Sequence, residues 1–152
     1  MTSVAGLAML VGVGCASQGA PPRVASPAII DSTNFAPALE IDLPRFTRLS
    51  SGMYYLETLR GTGVVAADGR KVAFRYAAFL ADGTPVETQR APIEAELGDG
   101  MIRGLRLGLS GMREGGQRRL VVPPSLAYGR SRYGNVPPNS VLVFDVELIS
   151  VR

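Results

Sequence analysis

From Gly52 onward, apolar and polar positions alternate in short runs, each ending at Gly, Pro or Asp-Gly. The run MYYLETLR, Met53 to Arg60, predicts a strand closed by a glycine-rich turn at Gly61 to Gly63. In KVAFRYAAFLADGT, Val72, Phe74, Tyr76, Ala78 and Leu80 fall on one face and Asp82-Gly83 turns the chain, so Tyr76 points inward with the core set. Ile93 to Leu97 predicts a shorter strand with Glu94 and Glu96 toward water. A short apolar strand follows between Gly116 and Pro123. SVLVFDVELISVR then sets Leu142, Phe144, Val146 and Leu148 on a buried face, with Asp145 and Glu147 opposite.

One segment keeps a different period. MIRGLRLGLSGM, residues 101–112, spaces Ile102, Leu105, Leu109 and Met112 by threes and fours and predicts one short helix with a narrow apolar stripe. Gly104, Gly108 and Gly111 each weaken a helix by about 1 kcal/mol relative to alanine, so packing against a sheet has to hold it. The pattern predicts an α+β fold, a mostly antiparallel twisted sheet wrapped around one short helix.

Before Gly52 the alternation is missing. Val4 to Gly14 is an uncharged apolar run, too short to span a membrane and suited to a secretory signal. It ends in VGVGCAS, which resembles a bacterial lipobox. Residues 1–15 then read as a signal peptide and Cys15 as the lipidation site, although Gly12 stands where lipoboxes prefer leucine and no Lys or Arg precedes the run. Export without a lipid, or a free thiol, are the alternatives. Residues 16–51 carry Pro21, Pro22, Pro27, Pro37 and Pro44 among small and polar residues and read as a Pro-rich tether. A flexible coil of that length reaches on the order of 30 Å. Phe35, Leu39, Ile41, Leu43 and Phe46 are the residues within it suited to packing on the domain edge. The folded domain is expected over residues 52–152.

Composition narrows the chemistry. The 152 residues are 46% hydrophobic, as expected for one globular domain with an appendage, and a monomer is expected. With no histidine and one cysteine, histidine triads and His/Cys metal sites cannot be built, and neither a metal nor a cofactor is expected. A net charge of +3 points to no nucleic-acid partner. Between Gly100 and Ser140, Arg103, Arg106, Arg113, Arg118, Arg119, Arg130 and Arg132 face only Glu114. Such a run is either a solvated surface or, on a lipid-tethered protein, a face for anionic headgroups or acidic partners.

The blocks SGMYYLETLRGTG, ADGT, LGDGMIRGL, GMREGGQRRLVVPPSLAYG and VPPNSVLVFDVEL occur in that order. On these blocks Gly52 to Val151 resembles an FKBP-type peptidyl-prolyl cis-trans isomerase domain, especially the small bacterial members that follow a lipobox and linker. The resemblance implies an isomerase, or rotamase, that accelerates X-Pro rotation in exported proteins and assists their folding as a chaperone does. It also implies a periplasmic lipoprotein held at a membrane through its lipid anchor. Proline-containing polypeptides are the implied substrates, and macrolide inhibitors are candidate ligands. Catalytic roles are implied for Tyr76, Tyr128 and Phe144, and substrate binding for Val86, Glu87, Ile93, Met101, Ile102, Leu105 and Val136. In the family pattern the Tyr128 hydroxyl and the Ile102 backbone N–H each donate to a ligand carbonyl. This chain departs from that pattern at several positions. Val86-Glu87 stands where an aromatic-aspartate pair is usual, Ile93 and Ala95 replace further aromatics, Leu105 replaces a tryptophan, and the Arg130 to Val136 loop reads one residue short. The departures keep a second reading open, a non-catalytic module that binds proline-containing or unfolded chains.

Overall fold

The computed structural model describes residues 29–152. Cys15, the apolar run and the tether as far as residue 28 lie outside the described residues. The alternating runs become strands β1 (Thr47–Arg48), β2 (Tyr54–Leu59), β3 (Lys71–Leu80), β4 (Pro85–Glu96), β5 (Gln117–Val122) and β6 (Leu142–Val151). They form one six-stranded sheet in the order β1-β2-β5-β6-β3-β4, every pair antiparallel. Among the described residues one α-helix, α1 (Arg103–Leu109), lies against it. This is the α+β architecture that the periodicity predicts.

Register assigns the two faces. Leu120 pairs with Phe144 and Phe144 with Ala78, so these three share the inner face with Phe74, Val146 and Leu148. Leu105, Leu109 and Met112 close that core from the helix side. The helix glycines have a packing reason. A Cβ built on Gly104 would collide with the Val122 side chain, and one on Gly108 with Leu120. The helix backbone therefore rests directly on β5, closer than any larger residue permits. Arg118 fixes its far end by donating from Nη1 to the carbonyls of Gly108 at 3.0 Å and Ser110 at 3.2 Å. Its guanidinium lies 4.7 Å from the centre of the Tyr55 ring, and this burial lowers its pKa.

Three local expectations need correction. The helix is shorter than residues 101–112, because Ile102 is its N-cap and Ser110 its C-cap. The short strand Ile93 to Leu97 is the end of a longer strand, β4. Phe74 pairs with Ile93 and Tyr76 with Gln89, so two steps on β3 match four on β4. The extra residues around Arg90 to Pro92 form a bulge, which hides the continuity of the strand from a period-two reading. Pro92, which has no N–H, is tolerated because β4 is an edge strand.

The third correction concerns the tether, which from Ile30 to Phe46 is part of the folded domain; Phe35, Leu39, Ile41, Leu43 and Phe46 pack on it as expected, and Ile30 joins them. On the outer face Tyr54, Val121 and Val143 are buried, and Phe79 is half-buried beside them. Left bare, these strands would expose a continuous apolar stripe. Residues 30–46 cover it as a strap, burying Ile30, Leu39 and Phe46 (Ile30 is 0% exposed). The strap bends through 3-10 turns at Pro37–Leu39 and Leu43–Arg45, with a proline at the first position of one and the second position of the other. Three contacts pin it to the sheet. The Ala36 N–H donates to Ala81 O at 2.8 Å, Arg119 Nη1 to Leu39 O at 2.7 Å, and the Tyr54 hydroxyl to Asp31.

Candidate functional site

The inner face is covered only in part, and the gap lies between α1, β4 and the loop after β5. Pro123-Pro124 ends β5, since proline cannot continue the ladder, and Pro124–Leu126 makes one 3-10 turn. Gly129, at φ +59°, then reverses the chain, with its N–H on Pro124 O at 2.8 Å and its carbonyl accepting from Asn139 N at 2.7 Å. This turn presents Tyr128 half-buried at the rim of a cup.

All nine apolar or aromatic residues named from the resemblance belong to the one inner-face cluster that this gap exposes. Phe144, Val136 and Leu105 are buried (2%, 1% and 5% exposed) and form the floor. Tyr76, Val86, Ile93, Met101, Ile102 and Tyr128 pack on that floor half-exposed. The Tyr76 ring is tilted against Phe144, with centres 5.9 Å apart, and stacks with Phe74 at 6.1 Å. Both distances suit favourable aromatic contact. Phe144 is thus a wall behind the surface rather than an exposed group. Glu87 is exposed on β4.

Burial first, and the Glu87 carboxylate beside it second, push the Tyr76 phenol well above the ordinary tyrosine pKa. Tyr128 is raised too, by burial and then by its neighbours Tyr133 and Glu87. Both phenols therefore stay protonated at neutral pH, as hydrogen-bond donors rather than bases. Among the described residues the Tyr128 hydroxyl makes no hydrogen bond, and no acceptor takes the Ile102 N–H. Two unused donors thus stand beside an apolar cup. Among the described residues, no group of three or more His, Cys, Asp or Glu is placed to hold a metal ion.

Tyr133 was not singled out from the sequence. Its ring lies parallel to that of Tyr128 at 4.2 Å and 6°, extending the aromatic rim while remaining 56% exposed. The available signal is the Tyr133-Gly134-Asn135-Val136 stretch, which forms a tight turn. Val136 N donates to Tyr133 O at 2.8 Å and Tyr133 N to Val136 O at 3.2 Å, with Gly134 at φ +53°.

A second concavity, a groove of about 530 Å³, lies mainly over the outer face. Three of its four arginines are held in ion pairs, Arg119 forked onto Asp145 (2.6 and 2.9 Å), Arg75 on Glu147 (2.7 Å) and Arg118 on Glu57, which leaves Arg90. Charged and polar residues make up most of its lining and Tyr76 is the one ring among them, so the chemistry is assigned to the inner cup.

Comparison with known proteins points the same way. Residues 63–149 match the FKBP-type peptidyl-prolyl cis-trans isomerase family. The chain is 40% identical over 106 residues to the FKBP-type peptidyl-prolyl cis-trans isomerase FkpA of Escherichia coli, covering 68% of this chain and 39% of that protein. It is also 40% identical over 109 residues to FK506-binding protein 4 of Mycosarcoma maydis, covering 70% of this chain and 29% of that one. This chain thus spans well under half the length of these curated relatives. Among solved structures, FkpA from Escherichia coli superposes with a TM-score of 0.67 at 37% identity, covering 71% of this chain and 52% of that one. A peptidyl-prolyl cis-trans isomerase from Pseudomonas syringae superposes with a TM-score of 0.67 at 34% identity, covering 75% and 86%. The cup, the fold around it and these matches together place the chain in the FKBP-type peptidyl-prolyl cis-trans isomerase family.

Proposed function

We propose that this protein accelerates cis-trans rotation of X-Pro bonds in polypeptides. The barrier to rotation is about 18 to 20 kcal/mol, because the planar amide has partial double-bond character. Uncatalysed X-Pro bonds therefore isomerise over tens to hundreds of seconds. Water favours the charge-separated planar amide. An apolar cup that takes the proline side out of water favours the twisted form, with no acid, base or metal. Proton donors aimed at the flanking carbonyls hold the chain while the bond turns. The observation that carries this reading is the histidine-free apolar cup with the Tyr128 hydroxyl and Ile102 N–H left unpaired beside it. A proline-limited refolding assay with the full chain tests it. Acceleration that Tyr128→Phe reduces is expected, and no acceleration at micromolar protein sinks the activity.

One observation favours a second reading. Val86 stands at the wall where a ring is expected, which removes area and stiffness and suits a module that binds proline-containing chains without turning them over. Peptide binding without acceleration in the same assay would select that reading. Macrolide inhibitors are candidate ligands of the same cup. The proposed location is exported and periplasmic, with a lipid anchor at Cys15, supported by VGVGCAS after an apolar run. Membrane fractionation checks the anchor: the full chain is expected with membranes, and Cys15→Ser is expected to be released or left unprocessed.

A further inference from the structure

We propose that Arg130 and Arg132 make the rim of the cup selective for proline-containing segments that carry a carboxylate next to the proline. The proposal rests on the substrate reading above. It starts from the seven arginines between Gly100 and Ser140, of which three are in ion pairs and four are not, Arg103 on α1, Arg113 on the Gly63 carbonyl, and Arg130 and Arg132 at the rim. Arg106 is paired with Asp68 and Asp99, Arg118 with Glu57, and Arg119 with Asp145. Those three charges are taken up inside the domain. Arg130 and Arg132 have no acidic partner among the described residues, and residues 1–28 contain no Asp or Glu to supply one.

Their place in the fold turns spare charge into a candidate recognition element. Both are exposed and lie between Tyr128 and Tyr133, the two rings stacked at the rim. The loop that carries them is held at both ends. Ser131 N donates to Tyr128 O at 3.1 Å, Asn139 N to Gly129 O at 2.7 Å, and Tyr133 and Val136 exchange backbone hydrogen bonds. The backbone therefore holds both arginines within one or two residues of the aromatic rim. Glu87, exposed on β4, is the acidic residue that raises the Tyr76 and Tyr128 phenols, and it forms no ion pair with either arginine. A substrate carboxylate would meet two unneutralised cations in water-exposed surroundings. There each unit charge changes association by about two- to three-fold, and salt screens the effect.

The test uses the full chain and two peptides that differ only in Glu or Gln next to proline. It measures kcat/KM for isomerisation and, separately, Kd by fluorescence anisotropy. At low salt the Glu:Gln ratio is expected to be about five, falling toward one near 1 M salt. Arg130→Gln/Arg132→Gln should bring the ratio to about one at any salt. The charge-matched Arg45→Gln/Arg60→Gln, away from the rim, should keep it. A ratio of one in the unaltered chain, or the same fall in both double variants, overturns the proposal. So does loss of binding to phosphatidylglycerol-containing vesicles in the rim variant with the peptide ratio unchanged, which would assign the arginines to a lipid surface. Absence of turnover on both peptides would sink the isomerase reading alone, because the Kd ratio still reports on the rim.

Discussion

The two faces of the sheet are covered by different means, and the difference locates the site. On the inner face α1 lies with Gly104 and Gly108 in contact with β5, sealing Leu120 and Val122. That helix has only seven residues, so it leaves the end of the face at Tyr76 and Tyr128 half open. On the outer face an irregular strap seals Val121 and Val143, and beyond it stand Arg119-Asp145 and Arg75-Glu147, already paired. Incomplete cover over ion pairs leaves a solvated surface. Incomplete cover over aromatic rings leaves a place for an apolar ligand, and function follows the second kind of gap.

The largest expected effect tests the inner face. Phe144→Ala removes the floor of the cup and opens a cavity in the core, at a cost of about 3 to 5 kcal/mol. A urea melt should show this loss together with the loss of turnover. The outer face should respond almost as strongly, since Ile30 is fully buried under the strap. Ile30→Ala is expected to cost about 2 to 4 kcal/mol while turnover per folded molecule holds. An unchanged melting midpoint would mean that the strap only rests on the sheet.

Gly108→Ala separates helix propensity from packing. Alanine favours the helix by about 1 kcal/mol, but its methyl group would enter the space of Leu120, and overpacking costs about 1 to 3 kcal/mol. A small net loss of stability, roughly 1 kcal/mol, is expected by calorimetry, and a gain would show that the helix stands off the sheet. The smallest change, Tyr128→Phe, keeps the ring and removes one donor worth about 0.5 to 1.5 kcal/mol. Turnover should fall about tenfold or less, with no shift in melting temperature. Because the pKa values of both Tyr76 and Tyr128 are raised, their protonated forms persist through neutral pH. Turnover should then be flat from about pH 6 to about pH 8. A bell-shaped profile there would point to acid-base chemistry instead.

Much of the cup was legible in the sequence because strand orientation is local. Once KVAFRYAAFL and VLVFDVEL are strands, period two alone turns Tyr76 and Phe144 to the same side. The ordered family blocks then supplied their neighbours Met101, Ile102 and Tyr128. Other features needed contacts between distant segments. The bulge at Arg90 to Pro92 shows only when β4 is laid along β3, and the Tyr133 stack only when the loop closes on Tyr128. The strap is the plainest case. Its apolar residues follow neither a period of two nor one of 3.6, because they match a surface rather than a repeating element. Ile30, Leu39 and Phe46 are buried only because Val121 and Val143, roughly a hundred residues along the chain, present an apolar face that water disfavours. Local alternation determined which way each strand side chain points, and the sheet as a whole decided which irregular segment had to cover it.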